Sequence, residues 1–198
     1  TGSQDKTVRL WELPTGKLLK IFRPPIGEGP IGMILAVAIS PDGKTIACGG
    51  RTDSREGTSR SIYLFDRESG KLVRRIGGHS YNILGLAYSK DGKFLGAGMN
   101  EKGGLRIYHT SDYSVAGEDG DYGDNIYKVD FSKDGMVVTV SKDGFIRLYG
   151  SEFKLLTKRK APDGFRPHSV CFSPDGSSIA VTFFDDTMLN GKIDVLSG

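Results

Sequence analysis

The chain has 198 residues, with 27 Lys and Arg against 24 Asp and Glu, for a formal net charge of +3. A balance this even argues against a nucleic-acid partner, which calls for a clustered basic face, and no apolar run approaches membrane-spanning length. Glycine occurs 28 times and proline 8 times, the punctuation of a turn-rich all-β chain long enough to bury a core.

Residues 1–22 read as the tail of a repeating unit, with strands over 8–11 and 17–22. Residues 23–32 (RPPIGEGPIG) form a loop, since their prolines and glycines suit neither strand nor helix. From there one order recurs. An apolar strand comes first, over 34–39, 83–88, 126–131 and 168–172. A Ser-x-Asp-Gly turn follows, beginning at Ser40, Ser89, Ser132 and Ser173; its Asp accepts from the backbone ahead and its Gly supplies the positive φ of the bend. A second strand is expected over 45–49, 94–98, 137–140 and 178–183, and a third over 62–65, 105–108, 145–149 and 193–196. Three copies continue into a fourth strand, over 71–76, 113–116 and 153–157. The turn serines stand 49, 43 and 41 residues apart. A period of this length marks a repeat architecture, and four short strands per unit is the pattern of a β-propeller blade. Full blades are therefore expected at 33–76, 82–116 and 126–157, with 1–22 the end of a blade and 167–198 a blade lacking its outer strand.

These residues resemble WD repeats. Gly78-His79 is similar to the family's Gly-His signature, and Leu10-Trp11-Glu12 to the Leu-Trp-Asp that ends a third strand. Residues 141–149 (SKDGFIRLY) match 3–11 (SQDKTVRLW) in one register. The resemblance covers essentially the whole chain and implies a β-propeller. In the family a His, a Ser or Thr, an Asp and the Trp form a buried hydrogen-bonded tetrad. Asp5 and Asp143 match its Asp position, Trp11 its Trp and His79 its His, so these four are structural candidates. Phe65, Tyr108 and Tyr149 stand at the other Trp positions, and no unit carries the full set. The expected strands exceed a four-bladed ring by one. The chain is therefore expected to be a piece of a larger propeller, completed by a missing segment or by a second chain. Residues 26–50 and 61–78 are also similar in style to bacterial multidomain proteins in which a WD-repeat array follows an effector domain.

The long polar connections, 23–32, 51–60, 117–125, 158–167 and 184–191, fall on one face of such a propeller, and the Ser-x-Asp-Gly turns on the other. Function on a rigid scaffold concentrates on such loops, and Arg51, Arg55, Tyr81, Tyr122 and Phe165 are the candidate protein-binding residues. Asp119, Asp121, Asp124 and Asn125 loosely resemble a calcium loop, but the spacing departs from it and no Glu closes it; Asp185-Asp186 is weaker still. Asn82 and Asn125, with His168 close to the equivalent place, are the positions where a propeller lactonase would hold a metal. The basic clusters Arg51, Arg55, Arg60 and 158–160 are offset by Asp53, Glu56 and the acidic stretch 118–124. There is no Gly-x-Ser-x-Gly elbow, phosphate loop or zinc spacing. Cys48 and Cys171 read as small buried residues of a reduced, cytoplasmic protein. The expectation is a non-catalytic protein-interaction scaffold or sensor module with no cofactor or metal. It would bind a protein partner or another domain of its parent chain. A metal-dependent propeller enzyme is the alternative.

Overall fold

The computed structural model describes residues 1–52, 59–185, 187 and 191–197. These hold seventeen strands in five antiparallel sheets, each built from strands adjacent in sequence. Sheet I pairs β1 (Val8–Trp11) with β2 (Leu18–Phe22). Sheet II runs β3 (Ile34–Ile39), β4 (Thr45–Gly50), β5 (Arg60–Asp66) and β6 (Leu72–His79). Sheet III runs β7 (Ile83–Tyr88), β8 (Phe94–Met99), β9 (Leu105–His109) and β10 (Val115–Asp119). Sheet IV runs β11 (Ile126–Phe131), β12 (Val137–Ser141), β13 (Phe145–Tyr149) and β14 (Leu155–Lys160). Sheet V holds β15 (Phe165–Phe172), β16 (Ser178–Asp185) and β17 (Gly191–Ser197). First strands neighbour one another, β3 on β7, β7 on β11 and β11 on β15, so the sheets follow each other as blades along an arc of a β-propeller.

The turns explain the meander. In three Ser-x-Asp-Gly turns the serine hydroxyl donates to the aspartate, at 2.6 Å for Ser40–Asp42, 2.7 Å for Ser89–Asp91 and 2.6 Å for Ser173–Asp175. The same carboxylate accepts the amide two residues on, and the serine oxygen accepts the amide five residues on. These bonds hold the three carboxyls below their usual range, Asp175 at about 2. The turn at Ser132 is one residue shorter, and its hydroxyl accepts from Met136 instead.

Third and fourth strands are joined by turns that end on a residue at positive φ: Gly16, Gly70, Tyr113 and Phe153. The two aromatics belong to the turn, so β10 and β14 begin at Val115 and Leu155, two residues after the sequence-based starts. Residues 117–119 and 158–160, expected in loops, are strand; β15 likewise starts at Phe165 rather than 168.

Each first strand carries a β-bulge, at Leu35, Leu84, Tyr127 and His168, where the register skips one residue. Before the first three bulges stands an isoleucine, Ile34, Ile83 or Ile126, that seats against the preceding sheet; before the fourth stands Pro167. A Cβ on Gly49 would lie 2.7 Å from Ile83, and one on Gly98 would lie 2.6 Å from Ile126. The two isoleucines are fully buried, worth roughly 1.5–3 kcal/mol each relative to exposure. Cys48 lies in this interior, where burial pushes its thiol up to about 12, whereas Cys171 is exposed, against expectation. Sheet V is the last of the described sheets. Ile193 takes the register of Ile146, yet it is 71% exposed where Ile146 is 5%.

Candidate functional site

The loop end of the blades rests on buried polar groups that the links between sheets supply. His79 is fully buried, with Nδ1 3.1 Å from the Arg60 carbonyl and Nε2 2.6 Å from the Tyr108 hydroxyl. A carbonyl only accepts, so Nδ1 carries the proton and Nε2 accepts from Tyr108. Burial, reinforced by the charge of Arg106, depresses the imidazole's basicity. His79 thus ties the end of β6 to β9 of the next sheet.

Sheet IV has the same strut built from tyrosine. Tyr122 was a candidate surface anchor; it is only 4% exposed and sits inside the sheet III–IV core. Its hydroxyl lies 2.7 Å from both Thr139 Oγ1 and the Tyr149 hydroxyl. Tyr149 donates to Asp119 Oδ2 at 2.8 Å. Each hydroxyl has one proton, so Tyr122 donates to Tyr149 and Thr139 to Tyr122. Burial pushes the Tyr122 phenol up to about 12 and the Tyr149 phenol higher still. Beside them the Arg147 guanidinium, 1% exposed, grips Asp143 at 2.8 Å, Ser141 Oγ at 2.9 Å and the Asp121 carbonyl at 2.8 Å. It also lies 4.0 Å from the centre of the Tyr122 ring. Burial raises the Asp143 carboxyl, but the bonds from Arg147, Ser141 and the Gly123 amide outweigh it and hold the group below its usual range.

Residues just before the first strands clamp neighbouring sheets together. Arg60 Nε donates to Asn82 Oδ1 at 2.8 Å, and the Glu101 amide donates to Asn125 Oδ1 at 2.8 Å. Arg166, inside β15 but likewise two residues before the bulge, donates to the Lys142 carbonyl at 3.1 Å. His168 lies two residues further on, at the bulge register of Tyr127, close to the asparagine position without sharing it. The acidic stretch is similarly engaged. Asp121 pairs with Lys158 at 2.8 Å, Asp119 accepts from Tyr149 and the Asp121 amide, and Asp124 faces Lys142 at 3.4 Å. Among the described residues no group of three or more His, Cys, Asp or Glu is placed to hold a metal.

Among the described residues two concavities open on this end. One, about 500 Å3, is lined by Tyr81, Lys102, Arg106 and Glu118. The other, about 490 Å3, is lined by Tyr127, His168, Phe184, Lys142, Arg166 and Asp124. His168 lies between Tyr127 and Phe184, tilted against the first with ring centres 4.9 Å apart and edge-on to the second at 5.4 Å. Sequence reasoning missed this aromatic row, because its members come from two bulges and a strand end of different repeats. Of the other anchors, Arg51 is exposed on the chain just after β4. Tyr81 is half-buried against the sheet II–III core. Phe165 is the half-buried first residue of β15, with Lys192 Nζ 5.1 Å from its ring centre. Arg55 lies outside the described residues, as do Asp53, Glu56 and Asp186.

The comparisons with known proteins agree with this geometry. Residues 16–66, 70–109 and 114–150 match the family described as WD domain, G-beta repeat. The chain belongs to the WD-repeat family. It is 31% identical to the WD repeat-containing protein 26 homolog of Drosophila melanogaster, across 77% of this chain and 23% of that protein. It is 31% identical to the guanine nucleotide-binding protein subunit beta of Nicotiana tabacum, across 50% of this chain and 25% of that one. With the transcription initiation factor TFIID subunit 5 of Caenorhabditis elegans the identity is 29%, across 75% and 21%. The matched part is thus about a quarter or less of each relative's length. Set on the WD-repeat tetrad, Tyr122 takes the His place, Thr139 the Ser or Thr place, Tyr149 the Trp place and Asp143 the Asp place. Arg147 bridges the aspartate to the rest. Trp11, at the same register in sheet I, is 38% exposed and donates from Nε1 to Thr1 Oγ1 at 3.1 Å.

Proposed function

We propose that this chain is a non-catalytic recognition module that binds a protein partner, or another domain of its own parent chain, through the loop end of its blades. One observation carries the reading. The groups that could have organised chemistry there, Asn82, Asn125 and the acidic stretch, are spent on donors of the chain itself, whereas the Tyr127–His168–Phe184 row faces an open cavity. Aromatic rings beside Lys and Arg on a rigid frame are the composition of binding hot spots. Relatives named as subunits of larger assemblies, a G-protein β subunit and a TFIID subunit, support it. The module is read as cytoplasmic, in keeping with its two free thiols. Its style of repeat favours a sensor or docking half beside an effector domain, with the ring completed by further blades or a second chain. Arg51, Tyr81 and Phe165 extend the proposed surface, with Arg55 assigned to it on sequence grounds.

The test is site-specific photocrosslinking to the partner isolated with the protein. A crosslinker at His168 or Arg51 is expected to capture the partner, and one at Asp134, on the opposite end, is not. Arg51→Glu and His168→Asp, both at exposed positions, should abolish capture with thermal stability unchanged. Capture from Asp134 alone overturns the proposed face. Stoichiometric metal that is lost in Asn82→Ala overturns the non-catalytic reading.

A further inference from the structure

We propose that the cavity beside sheet III, lined by Tyr81, Lys102 and Arg106, receives the carboxylate of an aspartate or glutamate side chain of the protein partner. The proposal rests on the loop-end reading above and names the chemistry that end recognises.

The argument compares equivalent positions in three sheets. Arg9, Arg106 and Arg147 share one register on the third strands, opposite Ile21, Glu118 and Lys158. In sheets I and IV an aspartate four residues earlier clasps the arginine, Asp5 at 2.5 Å and Asp143 at 2.8 Å. In sheet III the turn is one residue longer, and Lys102 holds the place four residues before Arg106. A basic residue thus stands where the other two sheets have an acid. The acid of that turn, Glu101, is drawn the other way. Its carboxylate accepts from the Asn100 side chain at 3.3 Å, and its amide reaches Asn125 at the next junction.

The rest of the aspartate's setting is kept. Asp143 also accepts from the Gly123 amide at 3.1 Å. Ser80 precedes Ile83 by three residues, as Gly123 precedes Ile126, and the Ser80 amide has no acceptor among the described residues. Ser80, Tyr81, Lys102 and Arg106 all line the cavity of about 500 Å3, room for an acidic side chain and the backbone that bears it. An arginine fork, an ammonium, a phenol and an amide are the donors a carboxylate uses.

The acids on the same wall leave that place open. Asp119 turns to the Tyr149 hydroxyl of the next sheet. Glu118 meets Arg106 on its Nε side at 3.5 Å and is itself 66% exposed. A like charge so close repels a phosphate dianion more than a carboxylate, which selects the carboxylate.

The probe is acetate, titrated near neutral pH into the isotope-labelled protein and followed by NMR at constant ionic strength against chloride. Saturable shifts are expected at the Ser80 amide and the Arg106 Nε–H. Arg106→Gln should weaken acetate about tenfold, through loss of the charge-assisted pair. Ser80→Asp, at an exposed rim position, supplies a carboxylate of the chain's own and should abolish the response, whereas the uncharged Ser80→Asn should keep it. Absence of saturable shifts overturns the proposal. So does an unchanged affinity in Arg106→Gln, or full acetate binding in Ser80→Asp. Inorganic phosphate that binds where acetate does not would assign the cavity to phosphate and overturn it equally. Photocrosslinking from His168 separates this site from the face that holds it. Arg106→Gln should lower capture of the partner about tenfold. Undiminished capture overturns the carboxylate site and leaves the loop-end reading standing. No capture from His168, with acetate binding as expected, overturns the loop-end reading and supports the site.

Discussion

Residues 1–11 and 139–149 are one structural sentence written twice. Both open with a threonine, Thr139 on β12 and Thr1 beside the Gly2–Val8 bridge. In both, the positive-φ residue of the turn donates its amide to the serine carbonyl at 3.1 Å: Lys6 to Ser3, Gly144 to Ser141. In both an arginine four residues on clasps the aspartate, Arg9–Asp5 at 2.5 Å and Arg147–Asp143 at 2.8 Å. The surroundings differ. Arg9 and Asp5 are 39% and 41% exposed, whereas Arg147 and Asp143 are 1% and 10%. The interior copy is sealed by Tyr122 from the preceding link and by the neighbouring sheet. The lesson is that the local bonding pattern belongs to the sequence, while its energetic weight belongs to what packs over it.

The sharpest way to break the parallel is to remove the arginines one at a time. Arg147→Ala strands a mostly buried carboxylate and is expected to cost about 3–5 kcal/mol. Arg9→Ala acts on an exposed pair and should cost at most about 1 kcal/mol. Urea unfolding of the two variants checks both, and equal losses would refute the argument from burial.

Next are the hydroxyls. Tyr122→Phe removes a link from the Thr139–Tyr122–Tyr149–Asp119 relay and leaves buried partners unsatisfied, for a loss of about 1–3 kcal/mol. Trp11→Phe, at the Tyr149 position of the exposed copy, should cost no more than about 0.5 kcal/mol. Chemical denaturation midpoints distinguish them.

Acid sharpens the comparison further. The folded-state pKa of Asp143 lies below its ordinary 3.8. Its contribution to stability is therefore fully present above about pH 4 and lost as pH falls through the folded value. Asp143→Asn should flatten the acid limb of melting temperature against pH. Asp5→Asn should leave it nearly unchanged, since that carboxylate is solvent-exposed and screened.

The smallest effect is in the backbone. Gly144 has φ +89, and Lys6 holds φ +69 at the same turn position. Gly144→Ala is expected to cost about 1 kcal/mol from backbone strain, since its Cβ would meet no neighbour. Lys6→Gly should gain less than that, because the Lys6 Nζ bond to the Gly27 carbonyl at 2.8 Å is lost with the side chain. Differential scanning calorimetry resolves the opposite signs.

The strand meander was legible because turn chemistry and apolar alternation coincide at each repeat. Tyr113 and Phe153 misled the reading of the outer strands. An aromatic before a run of apolar residues looks like strand, and nothing in its identity announces φ of +64 or +62. Tyr122 looked like a loop tip among glycines and aspartates. One signal could have placed it. It precedes Ile126 by four residues, as His79 precedes Ile83. The clamps through Asn82 and Asn125 were seen as positions but not as bonds, because their partners, Arg60 and Glu101, come from the preceding repeat. Long-range pairing of that kind leaves no local trace.

The matched family units are out of step with the sheets. Residues 16–66 hold β2 to β5, residues 70–109 hold β6 to β9, and residues 114–150 hold β10 to β13. Each unit gives its outer strand to one sheet and three strands to the next, like a brick laid across a joint. Pulling one unit out must therefore tear two sheets, and a sheet cannot be lost without opening its neighbour. Stability in such an array passes between nearest neighbours, and here covalent overlap ties each neighbour to the next. Damage at one blade travels along the wall instead of staying where it began.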